Sequence, residues 1–184
     1  MKPHSDPQAI LARSTPLVSH EEVMDAVDRM AARINEYYGD TPLVLLMVMT
    51  GAVLPAAWLS ARLKMPLEMD FVHASRYTGA TEGGEIDFRV PPRLNLQDQD
   101  VLIVDDIYDI GLTLEMIEDY CHSRHARSVN SAVLVRKIHD RPTTGKLPRF
   151  IGLDVEDKYI FGCGMDAYEH WRHLDEIRAL EEEQ

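Results

Sequence analysis

Apolar residues follow two different spacings in the first third of the chain, and each spacing predicts a different element. Ser19-His20-Glu21-Glu22 has the pattern of a capping box, which opens a helix. The apolar positions after it recur at helical spacing until Gly39: Val23, Val27, Met30, Ile34 and Tyr37. Residues 43–49 (LVLLMVM) then show no polar alternation, which predicts a strand buried on both faces.

This succession of helix and strand continues along the rest of the chain. The predicted strands are 67–74, 101–104, 132–135, 150–155 and 159–161, and the predicted helices are 53–63 and 112–122. Strands that alternate with helices pair in parallel, so the pattern predicts an α/β fold with a central, mostly parallel twisted sheet flanked by helices. No repeat or long linker divides the 184 residues, which predicts a single domain over residues 1–184.

Composition and charge narrow the classes of partner. Lys and Arg total 19 against 31 Asp and Glu, and the net charge of -12 disfavours binding to nucleic-acid phosphates. The N-terminal sequence has no signal-like apolar core, and no apolar run reaches the roughly 20 residues of a membrane span. With only Cys121 and Cys163, a disulfide framework is not expected. We therefore expect a soluble cytoplasmic protein with no nucleic-acid partner and no membrane partner.

The stretch with the most chemical information is VLIVDDIYDIGLTLEM, residues 101–116. Asp105 and Asp106 end an apolar strand, and ligands of open α/β sheets bind beyond the carboxyl ends of the strands. Because adjacent strand residues point to opposite faces, the two carboxylates need not have the same role. Gly111 permits a tight turn, after which backbone amides and the helix dipole form an anion site, with Asp109 and Thr113 beside it. The arrangement indicates that the ligand is a phosphorylated sugar with a metal-bound leaving group. The simpler alternative is a loop that uses Asp and Gly for turn chemistry alone.

Residues 101–114 resemble the phosphoribosyl-pyrophosphate motif of the type I phosphoribosyltransferases, and roughly residues 20–178 resemble the hypoxanthine-guanine (6-oxopurine) branch of that family. Four further segments carry the resemblance: Met49-Thr50-Gly51 as the pyrophosphate loop, Ser75-Arg76-Tyr77 as the stem of a lid, Leu134-Val135-Arg136-Lys137 as the strand with the purine-binding lysine, and IGLDVEDKYIFGCGMD with HWRHL as the base-binding region. The resemblance also implies a small hood over the base, built from about 1–20 and 150–184, and a mobile lid at 76–86.

This resemblance implies an enzyme of purine salvage. It would transfer 5-phosphoribosyl from phosphoribosyl pyrophosphate to N9 of hypoxanthine or guanine, with Mg²⁺ as cofactor, and release pyrophosphate with IMP or GMP. Asp109 would be the general base at N7 of the purine. Lys137 would donate to O6, a bond that the amino group of adenine cannot accept. The resemblance further implies a homodimer or a homotetramer.

The resemblance assigns residues to each part of the substrates. The 5′-phosphate and ribose would be bound by Asp105, Asp106, Asp109, Ile110, Gly111, Leu112 and Thr113. The pyrophosphate would be bound by Thr50, Gly51, Ser75, Arg76, Tyr77 and Arg172. The purine would be bound by Lys137, Tyr159, Ile160 and Asp166. Magnesium would be held by Asp105, Asp106 and Asp166.

Three positions depart from the pattern of the family: Ile110 where Thr is frequent, Leu112 where Lys is frequent, and Tyr159 where Phe is more usual. Ile110 removes one side-chain contact to the 5′-phosphate, while the backbone amides of the turn remain. Two alternative functions stay open. A transcriptional regulator of the same fold would need an added domain or a basic face, and a xanthine-preferring relative would use the same chemistry on another base.

Overall fold

The computed structural model describes residues 6–76 and 86–181, which contain four helices and nine strands. The helices are α1 Pro7–Ala12, α2 His20–Tyr38, α3 Val53–Ser60 and α4 Leu112–Ser123. The strands are β1 Ser14–Val18, β2 Leu43–Val48, β3 Leu67–Arg76, β4 Ile86–Val90, β5 Asp100–Tyr108, β6 Ser128–Ile138, β7 Phe150–Glu156, β8 Ile160–Phe161 and β9 Ile177–Leu180. Of the predicted lid at 76–86, residues 77–85 lie outside the described residues.

The central sheet has six strands in the order β4-β3-β2-β5-β6-β7. All neighbouring pairs are parallel except β3 and β4, which are antiparallel. Strand β5 lies between β2 and β6, and its residues 101–104 are fully buried, because parallel strands with helices on both faces have no solvent side. This architecture confirms the predicted α/β class with a mostly parallel sheet.

Helix α2 begins at the capping box that the sequence predicts. The hydroxyl of Ser19 accepts the backbone N–H of Glu22, and the Glu22 carboxylate accepts the backbone N–H of Ser19 at 2.9 Å. The buried stripe of the helix ends at Tyr38, whereas Tyr37 is 51% exposed, so the prediction of Tyr37 as an apolar-face residue is wrong. The position four residues after Ile34 is Tyr38, which continues the buried face by one full helical turn.

The two ends of the described chain form a second, antiparallel sheet in the order β1-β9-β8. An apolar cluster packs this sheet against α2 and β6, through Val27, Val135, Ile160 and Ile177 among others. The indole N–H of Trp171 donates to the backbone carbonyl of Pro7 at 2.9 Å, which ties α1 to the C-terminal segment. The position of this sheet over a base remains a prediction.

Within residues 6–76 and 86–181, no helix combines the length and the hydropathy that crossing a bilayer requires.

Candidate active site

Two adjacent aspartates lie at the centre of the site, near the C-terminal end of β5. Asp105 and Asp106 belong to the strand itself, which extends four residues beyond the predicted end, and their exposed fractions are only 7% and 8%. The backbone N–H of Asp106 donates to Oδ1 of Asp105 at 2.9 Å. Burial raises the pKa of both carboxyls, and the negative charge of Asp106 raises the pKa of Asp105 further. This pair therefore favours a cation or a hydrogen-bond donor beside it.

The loop between β2 and α3 passes directly against this pair. A Cβ atom on Gly51 would overlap the carboxylate of Asp106, so only glycine allows the backbone so close. The preceding Thr50 is exposed, and the Met49–Thr50 peptide bond is cis. The structure thus brings the predicted pyrophosphate loop into contact with the predicted ribose and metal ligands.

The segment after β8 supplies a cation to the same place. Arg172 donates through Nη1 to the carbonyl of Gly164 at 2.8 Å, and its Nη2 lies 2.6 Å from Oδ1 of Asp166. The guanidinium charge of Arg172 lowers the pKa of Asp106, although burial still dominates and the net direction is upward. Arg172, Asp166 and Asp106 therefore form one electrostatic group, made of residues that the resemblance assigns to the pyrophosphate and to magnesium.

The turn that follows β5 forms a small cavity at the N-terminus of α4. Residues 105–114 line this cavity of about 170 Å³. Gly111 has a φ of 87° at the position before the helix, and it offers no side chain to cap the first helical turn. The amides of that turn are left for an anion or for water, and the helix dipole favours an anion. The carbonyl of Ile110 accepts the backbone N–H of Thr144 at 2.7 Å, which holds the turn from the side.

Asp109, the predicted general base, has two partners that the sequence analysis missed. Nε2 of His139 lies 3.1 Å from Oδ1 of Asp109, and Nη2 of Arg141 lies 2.8 Å from the same oxygen. The same Nη2 also lies 2.8 Å from Oδ1 of Asp157. These groups meet because β5 and β6 are neighbouring parallel strands, with Tyr108 opposite Arg136. The polar residues that follow both strands therefore leave the sheet side by side.

The residues predicted for the purine lie beyond β6 and around β8. Nζ of Lys137 is 3.7 Å from Oδ1 of Asp157, beyond hydrogen-bonding distance, so its N–H groups are able to donate elsewhere. The rings of Tyr159 and Tyr168 are stacked, with centroids 5.7 Å apart and an interplanar angle of 17°. Ile160 pairs with Ala179, and β8 is the edge strand of its sheet, so its other edge has no strand partner among the described residues.

The predicted stem of the lid begins at the C-terminal end of β3. Ser75 and Arg76 continue β3 past the end of β2, where Met49 donates its backbone N–H to the carbonyl of Val72. Their backbones pair with β4. Tyr77 lies outside the described residues.

The acidic groups also fit a hard divalent cation. In the parts of the chain that the structure describes, no three His, Cys, Asp or Glu side chains converge to hold a metal ion by themselves. A buried pair of carboxylates with raised pKa values is nevertheless an oxygen donor set that a cation would stabilise. Mg²⁺ is commonly held in this way, by one or two carboxylates together with water and the phosphate oxygens of a substrate.

Comparisons with known proteins agree with this geometry. The phosphoribosyl transferase domain family matches residues 14–169. Hypoxanthine-guanine phosphoribosyltransferases of Staphylococcus epidermidis and Bacillus subtilis are 33% and 32% identical, over 91% and 89% of this chain and 93% and 91% of their own lengths. A solved hypoxanthine phosphoribosyltransferase of Staphylococcus aureus has a TM-score of 0.84 at 27% identity, over 91% of each chain. The chain therefore belongs to the phosphoribosyl transferase family, in its hypoxanthine-guanine phosphoribosyltransferase branch.

Proposed function

We propose that this chain transfers 5-phosphoribosyl from phosphoribosyl pyrophosphate to N9 of hypoxanthine or guanine, in purine salvage. The observation that supports it best is the buried Asp105–Asp106 pair, which adjoins both an amide-lined turn and a group formed by Gly51 and Arg172. A ligand with a phosphate at one end, a sugar in the middle and a pyrophosphate at the other end matches this order. The products would be IMP or GMP and pyrophosphate.

The sugar phosphate would be held mainly by backbone groups and carboxylates. The first-turn amides of α4 would donate to the 5′-phosphate, assisted by the hydroxyl of Thr113. Asp105 and Asp106 would accept hydrogen bonds from the ribose hydroxyls. Ile110 and Leu112 offer no polar side-chain atoms, so the phosphate contacts at these two positions would come from the backbone alone.

At the opposite end, Arg172 and the backbone around Thr50 and Gly51 would meet the pyrophosphate. A planar guanidinium suits two phosphate oxygens. Asp105 and Asp106 would hold one Mg²⁺, and Asp166 a second. Bound Mg²⁺ would neutralise the charge that develops on the departing pyrophosphate.

The purine would lie between Lys137 and the ring of Tyr159. Lys137 would donate to O6, which favours 6-oxopurines over adenine because an amino group at C6 cannot accept this bond. Asp109 would take the proton from N7 as N9 bonds to C1′ of the ribose. Ile160 would contact the purine edge through its backbone, and β8 leaves one edge open for this.

A substrate panel tests the proposal directly. The purified chain would be incubated with phosphoribosyl pyrophosphate, Mg²⁺ and one of hypoxanthine, guanine, xanthine or adenine, and nucleotide and pyrophosphate would be quantified by chromatography. We expect one pyrophosphate for each nucleotide, turnover with hypoxanthine or guanine, loss of turnover when EDTA removes Mg²⁺, and no product with adenine. Absence of product from every 6-oxopurine would refute the proposal. Turnover with adenine would refute the role of Lys137.

Xanthine is a second candidate base. A hypoxanthine-guanine-xanthine phosphoribosyltransferase of Tritrichomonas foetus is 29% identical over 90% of this chain and 91% of its own length. Direct competition between the three 6-oxopurines, measured as the ratio of their kcat/KM values, would decide between the two specificities. A ratio above one for xanthine over both hypoxanthine and guanine would establish the xanthine-preferring alternative.

Two further properties belong to the proposal. We propose a cytoplasmic enzyme, which the buried free thiols of Cys121 and Cys163 support, since neither is paired in a disulfide. We also propose a homodimer or homotetramer, which light scattering of the purified chain would distinguish.

A further inference from the structure

The side chain of His139 contacts Asp109. His139 follows β6, and its side chain is only 4% exposed. Nε2 of the imidazole lies 3.1 Å from Oδ1 of Asp109 and 3.2 Å from the backbone carbonyl of the same residue. A buried ring that contacts both the side chain and the backbone of one residue restricts how that residue can turn.

A second contact fixes which ring nitrogen carries the hydrogen. The backbone N–H of Arg141 points at Nδ1 of His139, with a separation of 3.2 Å. Nδ1 must therefore be the acceptor, so the hydrogen of the neutral ring is on Nε2. Nε2–H then donates to the backbone carbonyl of Asp109 at 3.2 Å, and the same nitrogen lies 3.1 Å from Oδ1 of the carboxylate.

Two side chains approach the same carboxylate oxygen of Asp109: Arg141 donates a hydrogen bond to Oδ1, and Nε2 of His139 lies 3.1 Å from it. His139 and Arg141 contact Oδ1, and within residues 6–76 and 86–181 no hydrogen bond reaches Oδ2. A carboxylate that is held at one oxygen keeps the other available to accept a proton. The arrangement thus separates the oxygen that anchors Asp109 from the oxygen that can react.

We propose that His139 is the positioning residue of the general base, an inference that rests on the proposed function. As N9 of the purine bonds to C1′ and the bond from C1′ to the pyrophosphate oxygen breaks, the proton on N7 moves to Oδ2 of Asp109. His139 neither gains nor loses a proton in this step. Its hydrogen bond to the backbone carbonyl and its contact with Oδ1 hold Asp109 so that Oδ2 faces N7.

Arg141 is the weaker of the two anchors. Its side chain is 47% exposed, and its Nη2 is shared between Asp109 and Asp157. Exposed ion pairs are screened by water and hold their geometry poorly. The imidazole is buried and therefore less screened, so it is better suited to fix Asp109.

Three substitutions separate positioning from packing. His139→Leu removes both ring nitrogens at similar size. In His139→Gln the amide nitrogen reaches about as far as Nε2 and can still donate to Asp109, whereas in His139→Asn it reaches only as far as Nδ1. His122→Gln, on the exposed end of α4, is the matched control for a change from His to Gln.

The decisive measurement is the single-turnover rate, because product release does not enter it. Misplacement of a reacting group by about 1 Å can cost about 100-fold. We therefore expect His139→Leu and His139→Asn to lower this rate by about 10- to 100-fold, with KM for phosphoribosyl pyrophosphate within about twofold of wild type. His139→Gln should recover most of the rate, and His122→Gln should match wild type.

A double-substitution cycle provides a readout that a merely structural role would not change. In an Asp109→Asn background there is no base to position, so adding His139→Asn should lower the rate by less than about twofold. If the two losses multiply instead, His139 acts independently of Asp109 and the proposal is overturned.

The other possible results of these substitutions also test the proposal. Equal rates for His139→Gln and His139→Asn, whether both normal or both low, would overturn the proposal, because both keep an amide and only Gln places its nitrogen where Nε2 stands. If His139→Leu fails to fold by circular dichroism, the comparison of Gln with Asn still decides. Failure of the proposed function itself is distinguishable, because wild type would then form no nucleotide from any 6-oxopurine.

Discussion

Substitution of Gly111 by Ala should damage both stability and the phosphate turn. Gly111 has a φ of 87°, and a left-handed backbone costs a residue with a Cβ about 1–2 kcal/mol. The added Cβ would lie 2.5 Å from the carbonyl oxygen of Thr144 and 2.7 Å from the ring of Tyr108. Overpacking of this kind adds about 1–3 kcal/mol. The sum is a loss of about 2–5 kcal/mol in the free energy of unfolding.

The neighbouring hydrogen bonds decide how the loss would affect function. Relief of the overlap between the added Cβ and Thr144 requires Thr144 to move. Thr144 donates its backbone N–H to the carbonyl of Ile110, and its own carbonyl accepts a weak hydrogen bond from the hydroxyl of Tyr108. The amides that would bind the 5′-phosphate follow immediately in the chain. Loss of one hydrogen bond to a charged group is worth about 1.5–3 kcal/mol, so KM for phosphoribosyl pyrophosphate should rise by about 10- to 100-fold.

Thermal unfolding and steady-state kinetics measure the two effects. For a domain of this size the melting temperature should fall by about 2–4 °C for each kcal/mol. Gly39→Ala is the matched control, since Gly39 also has a positive φ of 56° but nothing lies within 4 Å of its Cβ position. It should lose stability without a change in KM. An unchanged melting temperature and KM for Gly111→Ala would refute the reasoning, as would an equal rise in KM for Gly39→Ala.

Three further substitutions test the charged groups of the site. Asp109→Asn should lower kcat by about 10²–10⁴ at unchanged KM for phosphoribosyl pyrophosphate, with the exposed Asp119→Asn as control; near-normal turnover would remove Asp109 as the base. Lys137→Ala should lower kcat/KM for hypoxanthine by about 10- to 100-fold, while sugar-phosphate binding persists. Sugar-phosphate binding should also persist in Lys64→Ala, the control at an exposed lysine. Burial raises the pKa of Asp105 in the folded state above its ordinary value of 3.8. The protonated carboxyl therefore contributes its full stability below pH 3.8, and this contribution is lost as pH rises through the raised pKa. Asp105→Asn should therefore stabilise the ligand-free chain against urea by about 1–3 kcal/mol at pH 7, a gain that disappears near pH 3.

The central sheet could be predicted because its strands are marked by local sequence alone. Unbroken apolar runs predict strands buried on both faces, and β2 and β5 have them. Strands β1 and β9 could not be found in this way. They are short, only partly buried, and pair with each other across almost the whole chain, with Ser14 opposite Leu180. Such a pairing depends on tertiary contacts that local periodicity does not record.

The same distinction applies to the site. The three aspartates after the apolar run of β5 could be recognised because their spacing is local. His139 and Arg141 contact Asp109 across 30 and 32 positions of sequence. That contact depends on the register between β5 and β6, which sequence periodicity alone leaves undetermined. Given the observed register, the polar residues after β6 would have been recognised as neighbours of Asp109.

The charges of the ligand-free site suggest how the proposed substrates would enter it. Arg172 has two separate contacts, one from Nη1 to the carbonyl of Gly164 and one from Nη2 to Asp166. A pyrophosphate oxygen could replace Asp166 at Nη2 while the contact to Gly164 keeps the guanidinium in place. The exchange would replace one charge-assisted contact by another, so its net cost would be small. It would also release the carboxylate of Asp166 beside the pyrophosphate, where a second Mg²⁺ would need it.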